Sequence, residues 1–367
     1  MAKKYRVAVI GRTGKGNYGH GLDVVWKAFD NVEIVAVADE NDKGRADAAK
    51  RLGAANAYAD YRQMLEKEKP RIVSVADRYL DAHRDMVVAC ARSGASIFLE
   101  KPMARTLVEA DEMVRACEMH HVKLAIAHQT RHSPRVQRIK ELIAGGRLGD
   151  ILELRGRGKE DNRGGGQDLM VLGTHILDLM RVFAGDARWC FATVLQDGKP
   201  AGKGDVRQGG EGMGPILGDR IQATYGFDGG VQATFGTHRA RVVATVGKRF
   251  GLQIYGTKGV VRLTTGSLPA AYFLDDPSWF GGGKEWQEIT SAGLGKPESL
   301  KDGGLGLGNQ WIVKDLIEAI EKDRQPLGSM YDGRAALEMI LAVYESHRLK
   351  GPAEMPLKNR QHPLTML

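Results

Sequence analysis

The stretch Tyr5-Arg6-Val7-Ala8-Val9-Ile10-Gly11-Arg12-Thr13-Gly14-Lys15-Gly16-Asn17-Tyr18-Gly19 decides the fold. Residues 5–10 form a short apolar run ending at a glycine, the pattern of a buried parallel strand that feeds a turn. Within the turn, Gly14 to Gly19 fits G-x-G-x-x-G. Glycines at such positions let backbone amides approach a pyrophosphate, while the following helix turns its positive end toward it. Residues 19–29 are helix-compatible, residues 32–38 read as a second strand, and Asp39 stands at its end, 20 residues past Gly19. An acid there accepts hydrogen bonds from ribose hydroxyls and repels a 2′-phosphate, so Asp39 and Glu40 predict NAD in preference to NADP. Arg12 beside the first glycine can meet a phosphate, which keeps NADP open. The expected dinucleotide contacts are Gly11, Arg12, Gly14, Gly16, Asn17, Gly19 and Asp39. A phosphate loop of the Walker A type is excluded, because only two residues separate Gly11 from Gly14 and Lys15 precedes a glycine.

Working outward, the alternation continues with helices at 43–52, 81–93 and 107–120 and strands at 71–76, 96–99 and 123–127. Strands separated by helices of this length predict a parallel, doubly wound sheet, since each crossover must lie on a sheet face. Beyond about residue 150 the rhythm changes. Strand-like runs at 151–157, 188–195, 219–227, 230–238, 252–255 and 260–263, with glycine turns between them, predict an antiparallel sheet. Helices are expected at 171–183, 307–322 and 332–349, and long glycine-rich loops at 202–218, 281–283 and 303–308. The expected architecture is therefore an α/β Rossmann domain at 1–128, an α+β domain with a large, mostly antiparallel open sheet at 129–350, and a tail at 351–367.

Composition narrows the function classes. The 367 residues are 43% hydrophobic and 27% charged, as an ordinary globular protein is. No window reaches the roughly 18 uninterrupted apolar residues that a membrane helix needs, and no cleavable leader is evident, so a cytoplasmic location is expected. Cys90, Cys117 and Cys190 are far apart, which argues against a disulfide framework or a cysteine metal cluster. The net charge of +8 comes from basic residues interspersed with acids, so no nucleic-acid partner is expected.

Phe98-Leu99-Glu100-Lys101-Pro102, a strand running into Glu-Lys-Pro and then a helix, resembles the signature of the Gfo/Idh/MocA family of sugar and inositol dehydrogenases. The resemblance extends to His83, to Arg131-His132-Ser133-Pro134, to the turn at Gly145-Gly146-Arg147-Leu148-Gly149, and to Gly173-Thr174-His175-Ile176-Leu177-Asp178. It implies that Ala76, His83, Glu100, Lys101 and Pro102 line the cofactor. It also implies that Lys101 hydrogen-bonds the hydroxyl being oxidised and that His175 accepts its proton. Small-molecule carbohydrate or polyol substrates and a homodimer or homotetramer follow from the same resemblance, with neither a nucleic-acid nor a membrane partner.

The chain departs from the family where an acid commonly stands four residues before the histidine; Val171 occupies that place, and Asp168 is the nearest carboxylate. The strand exit Ala76-Asp77 departs from the usual Thr-Pro. His175 and Asp178 share one helix face as a substrate-binding or structural pair, and two such groups without a third do not make a metal site. Asp161, Arg163 and Gln167, in the preceding glycine-rich loop, read equally as contacts to substrate hydroxyls or as exposed loop polarity, and Arg131, Asp168 and Asp178 complete the expected substrate set. The leading expectation is hydride transfer between a secondary alcohol of a sugar or polyol and NAD. Two alternatives remain open: an enzyme that retains NAD and uses transient oxidation for glycoside cleavage, elimination or epimerisation, and a non-catalytic NAD-binding sensor or partner subunit.

Overall fold

A computed structural model describes residues 4–239, 249–301 and 303–367. The chain divides into two compact units. The first comprises residues up to Gln129, together with Gly210–Gly214 and Leu305–Arg334; the second holds Thr130–Gly209, Pro215–Gly304 and Ala335–Leu367.

In the first unit the strands are β1 (Tyr5–Ile10), β2 (Val32–Ala38), β3 (Asn56–Tyr58), β4 (Ile72–Val75), β5 (Ser96–Leu99) and β6 (Leu124–Ile126). They form one parallel sheet in the order β3-β2-β1-β4-β5-β6. Its helices are α1 (Asp42–Leu52), α2 (Tyr61–Glu68), α3 (His83–Arg92) and α4 (Leu107–Met119). Each of α1 and α4 starts where a side chain accepts an otherwise unpaired amide, Asn41 from Gly44 and Thr106 from Glu109. The order reverses between β1 and β4, the point at which doubly wound sheets open their ligand crevice. Gly11, Asp39, Ala76 and Glu100 all lie just past the carboxyl ends of neighbouring strands as a result. The core beneath them is built from Val7, Val9, Val37, Ile72 and Phe98, with Leu22, Val25 and Trp26 over it.

The helix expected at 19–29 does not form. Two short 3-10 turns, Gly19–Gly21 and Val25–Ala28, take its place. His20 and Gly21 adopt positive φ values of 46° and 79°, which no α-helix contains. Val25 and Trp26 still bury the face that the helical spacing marked, so the apolar pattern is satisfied while the helix is not. Leu305–Arg334, part of the second domain in the sequence reading, carries all of α8 and the first turn of α9 (ranges below) into this unit.

The second unit contains α5 (Pro134–Ala144), β7 (Ile151–Arg157), α6 (Gly166–Val171), α7 (Gly173–Ala184), β8 (Trp189–Gln196), β9 (Lys199–Pro200), β10 (Arg207–Gln208), β11 (Pro215–Ile216), β12 (Arg220–Gly226) and β13 (Gln232–His238). It continues with β14 (Gly251–Gly256), β15 (Val260–Thr264), β16 (Ala271–Leu274), β17 (Gln287–Thr290), β18 (Gly293–Leu294) and β19 (Ala353–Glu354). The chain's last long helices are α8 (Leu305–Glu321), in the first unit, and α9 (Met330–Leu349), which lies mostly in the second. The large sheet runs β18-β17-β16-β15-β14-β7-β13-β12-β8-β19, with β9 on β8. All its pairs are antiparallel except β7 with β13, whose parallel register sets Glu153 opposite Gln232. Helix α7 packs on β7 so closely that a Cβ at Gly156 would sit 2.4 Å from Ile176. The helix expected at 171–183 is α7, beginning at Gly173, and a short helix that was not expected, α6, precedes it, closed at Leu172, whose amide caps it on the Asp168 carbonyl. The glycine-rich stretch at 303–308 becomes the start of α8, and the residues read as a tail join the unit through β19 and the buried His362.

Candidate active site

The glycine loop after β1 closes on itself. Arg12 and Asn17 bridge across it, and the Asn17 side chain accepts the Gly14 amide at 2.9 Å. Gly16 has φ +94°, and a Cβ there would lie 2.2 Å from Asp77 Oδ1, so this glycine serves a close approach to the protein's own β4 exit. The Gly19 amide donates to the Ala76 carbonyl at 2.6 Å. The Tyr18 ring lies against Gly11. Gly14 alone of the motif keeps open space around it, with φ +87°. With no α-helix after the loop, the expected helix N-terminus is absent from the phosphate end.

Asp39 is 2% exposed at the end of β2. Its Oδ2 accepts the Thr13 hydroxyl at 2.7 Å and the Thr13 amide at 3.0 Å, and Oδ1 accepts the Asn41 amide at 3.0 Å. Arg12 points away from it and pairs with Asp77 and Asp81, each at 2.9 Å. Burial pushes the Asp77 carboxyl up from its ordinary value, opposed by the Tyr79 amide, His83 and Arg12. A buried carboxylate at the end of β2 beside an open glycine is an acceptor of the kind the ribose end of NAD needs, and its Oδ2 already holds the Thr13 hydroxyl.

At the end of β5, Glu100 is fully buried and Lys101 is 8% exposed, and the Lys101–Pro102 peptide is cis. The Glu100 carboxylate accepts the Lys101 amide at 2.6 Å and is hydrogen-bonded to His20 Nδ1. Burial alone would raise the Glu100 carboxyl; His20, the Lys101 charge and the Lys101 amide outweigh it and hold the group below its ordinary range. His20 directly follows the glycine motif, yet sequence reading assigned it nothing; its carbonyl accepts the Asn309 side-chain amide at 2.9 Å. His83, expected at the cofactor, is fully buried. Its Nε2 lies 2.8 Å from the Asp77 carbonyl and its Nδ1 3.1 Å from the Pro102 carbonyl, so it staples the β4 and β5 exits together. Glu100 likewise has no exposed surface to offer a ligand.

In the second unit, His175 is half-buried on α7, its ring edge-on to Phe250 with centroids 6.3 Å apart. Asp178 on the same helix is 1% exposed and pairs with Arg131 at 3.2 Å. These two expected substrate contacts form a buried ion pair. Asp168, expected to bind substrate, is fully buried and accepts hydrogen bonds from the Thr237 hydroxyl and from the Lys159 and Glu160 amides at 3.2 and 3.1 Å, so its carboxylate pins the loop after β7. Burial raises the Asp168 carboxyl despite these donors. Asp161 is clamped by Arg163 at 2.6 Å, which holds its carboxyl down to about 2. Sequence reading missed Glu160, a fully buried carboxylate with φ +59° that pairs with Arg157 and Arg249. Val171 is 2% exposed and offers no polar atom in the place of the usual acid.

A parallel nucleotide-binding sheet with Glu-Lys-Pro at the end of its fifth strand, joined in sequence to a unit built on a large open sheet, defines a two-domain oxidoreductase architecture. The oxidoreductase family model with an NAD-binding Rossmann fold matches residues 5–128, and the GFO/IDH/MocA C-terminal domain matches residues 136–262. The chain belongs to the Gfo/Idh/MocA family, and its first unit carries that family's NAD-binding Rossmann fold. It is 28% identical over 254 residues to a levoglucosan dehydrogenase of Pseudarthrobacter phenanthrenivorans, covering 61% of this chain and 63% of that protein. It is 28% identical over 197 residues to a D-apiose dehydrogenase of Paraburkholderia graminis, covering 50% of this chain and 51% of that one. The matches thus span less than two thirds of these relatives. A solved levoglucosan dehydrogenase, in complex with NADH and levoglucosan, has the same fold, with TM-score 0.77 and 21% identity over 96% of this chain and all of that one.

Proposed function

We propose that the chain catalyses reversible hydride transfer between a secondary alcohol of a sugar, polyol or sugar derivative and NAD. The observation that carries this reading is the β5 exit, where Glu100 and Pro102 are buried and Lys101 is 8% exposed. An ammonium enclosed in this way is pre-oriented, and its hydrogen bond to a substrate oxygen is stronger than in water. NAD, when bound, accepts the hydride. Lys101 donates to the hydroxyl oxygen and stabilises the negative charge that grows on it, and His175 takes the hydroxyl proton. Asp39 accepts hydrogen bonds from the ribose. A sugar or polyol as substrate rests on the likeness to the levoglucosan and D-apiose dehydrogenases.

The test is a screen of purified protein with NAD and sugars, polyols and glycosides, following NADH absorbance and products by mass spectrometry together. NADH growing in step with an oxidised product supports the reading. Val171 favours a second reading, in which NAD is retained and the net reaction is cleavage, elimination or epimerisation; sugar conversion without NADH accumulation would establish it. No conversion of any kind would leave neither standing.

The assembly we infer is a homodimer or homotetramer, supported by the exposed Trp279 and Phe280 beside the sheet of the second unit, at 82% and 99% exposure. Light scattering on a sizing column tests it. Three buried thiols at Cys90, Cys117 and Cys190 suit a reducing, cytoplasmic setting, and among the described residues no helix is long and apolar enough to cross a membrane.

A further inference from the structure

We propose that Thr13 sets the affinity of the dinucleotide site by competing with the ribose for Asp39, an inference that rests on NAD as the ligand. An ionised carboxylate has about four lone-pair positions. At Asp39 the Thr13 hydroxyl takes one on Oδ2 at 2.7 Å, the Asn41 amide takes one on Oδ1 at 3.0 Å, and the Thr13 amide is shared between the two oxygens at 3.0 and 3.2 Å. These three donors leave about one position, so a ribose bringing two hydroxyl donors must displace a partner. The backbone amides are fixed by the fold; the Thr13 hydroxyl is the one that can yield.

Thr13 is seated on Asp39 by its surroundings. Its side chain lies over Gly44 in the first turn of α1, where a Cβ on Gly44 would come 2.0 Å from the Thr13 hydroxyl oxygen. On the other side Arg12 is tied to Asn17 through the backbone and to Asp77 and Asp81 through its guanidinium. The hydroxyl therefore already satisfies a buried carboxylate, and ribose binding exchanges one charge-assisted hydrogen bond for another. Removing the competing donor leaves Asp39 short of a partner until the ribose arrives, which strengthens binding.

Thr13→Val keeps the shape of the side chain and deletes the donor; Thr13→Ala deletes it with more space; Thr13→Ser keeps it. Isothermal titration with NAD and with ADP-ribose should show both ligands binding at least about tenfold more tightly to Thr13→Val, the scale of one hydrogen bond to a charged group, with Thr13→Ala tighter in the same direction and Thr13→Ser close to wild type. Unchanged or weaker binding by Thr13→Val and Thr13→Ala, with wild-type NAD binding intact, overturns the competition. No NAD binding by wild type or any variant overturns the cofactor reading, and the competition with it.

Discussion

The Arg12 guanidinium lies 2.9 Å from the carboxylates of both Asp77 and Asp81, with only 12% of its side chain exposed. Its charge is neutralised at the β4 exit, away from Asp39, so the group that kept NADP open in the sequence is engaged elsewhere. Wild-type protein is expected to bind NAD more tightly than NADP in isothermal titration. Arg12→Ala should leave the ratio of the two affinities unchanged within a few-fold, while Asp39→Ala narrows it. A wild-type preference for NADP would reverse the assignment of Asp39.

Lys101→Met tests the residue held at the β5 exit. Methionine retains the apolar stem and loses the donor, so NAD affinity should stay within a few-fold of wild type while kcat falls about a hundredfold or more, as when a single transition-state donor is lost. Near-normal turnover would make Lys101 a structural residue.

The parts of the fold that were legible are those where burial imposes a period. Strands covered on both faces read as unbroken apolar runs, which is why β1, β2 and Asp39 at the end of β2 could be placed from sequence. Residues 19–29 show the limit: Leu22, Val25, Trp26 and Phe29 repeat at helical spacing and do pack into the core, yet His20 and Gly21 turn left-handed and only 3-10 turns form. Apolar spacing reports which side chains face inward, and two different backbones meet the same demand. At the candidate site, the position of Lys101 just past β5 was readable because its neighbours in sequence are its neighbours in space. Glu160 was unreadable because only one of its partners, Arg157, is local, while the other, Arg249, is 89 residues away. Asp77 and Asp81, 65 and 69 residues from Arg12, were equally hidden.

His362 gives the chain a stability term with a definite sign. It is 3% exposed, it packs on Tyr344, and burial lowers its imidazole from 6.5 to about 4. The folded state thus holds the ring neutral while the unfolded chain protonates it below pH 6.5. Its contribution is complete above the unfolded value and is lost as pH falls through the folded one, an effect of about 3 kcal/mol between pH 7 and pH 4. Urea melts of wild type and His362→Phe should show a shallower decline over that interval in the variant. Parallel declines would mean that the ring is accessible to protons in the folded state.

The last prediction separates His175 from Asp168. Both stand near Val171, and either could supply the proton acceptor that the missing acid leaves to find. Asp168 is fully buried, in the first turn of α6, and its oxygens are engaged by the Thr237 hydroxyl and the amides of Lys159 and Glu160. A carboxylate held in this way positions a loop, and turning it outward would leave two amides and a hydroxyl unpaired, at about 1–3 kcal/mol for each buried group. His175 is half-buried on α7 with its ring against Phe250, an arrangement that leaves part of the imidazole reachable. Asp168→Asn presents an amide N–H₂ to groups that are already donors, so it should lower the melting temperature by several degrees and leave the shape of the pH–rate profile unchanged. His175→Ala should do the opposite, preserving the melting temperature and abolishing most turnover. In the oxidation direction an imidazolium cannot take a proton, so wild-type kcat should fall on the acid side, and the residual activity of His175→Ala should have lost that limb. If instead Asp168→Asn melts like wild type and flattens the acid limb while His175→Ala keeps it, the proton goes to Asp168, and the hydrogen bonds seen around its carboxylate describe a resting state that substrate binding opens.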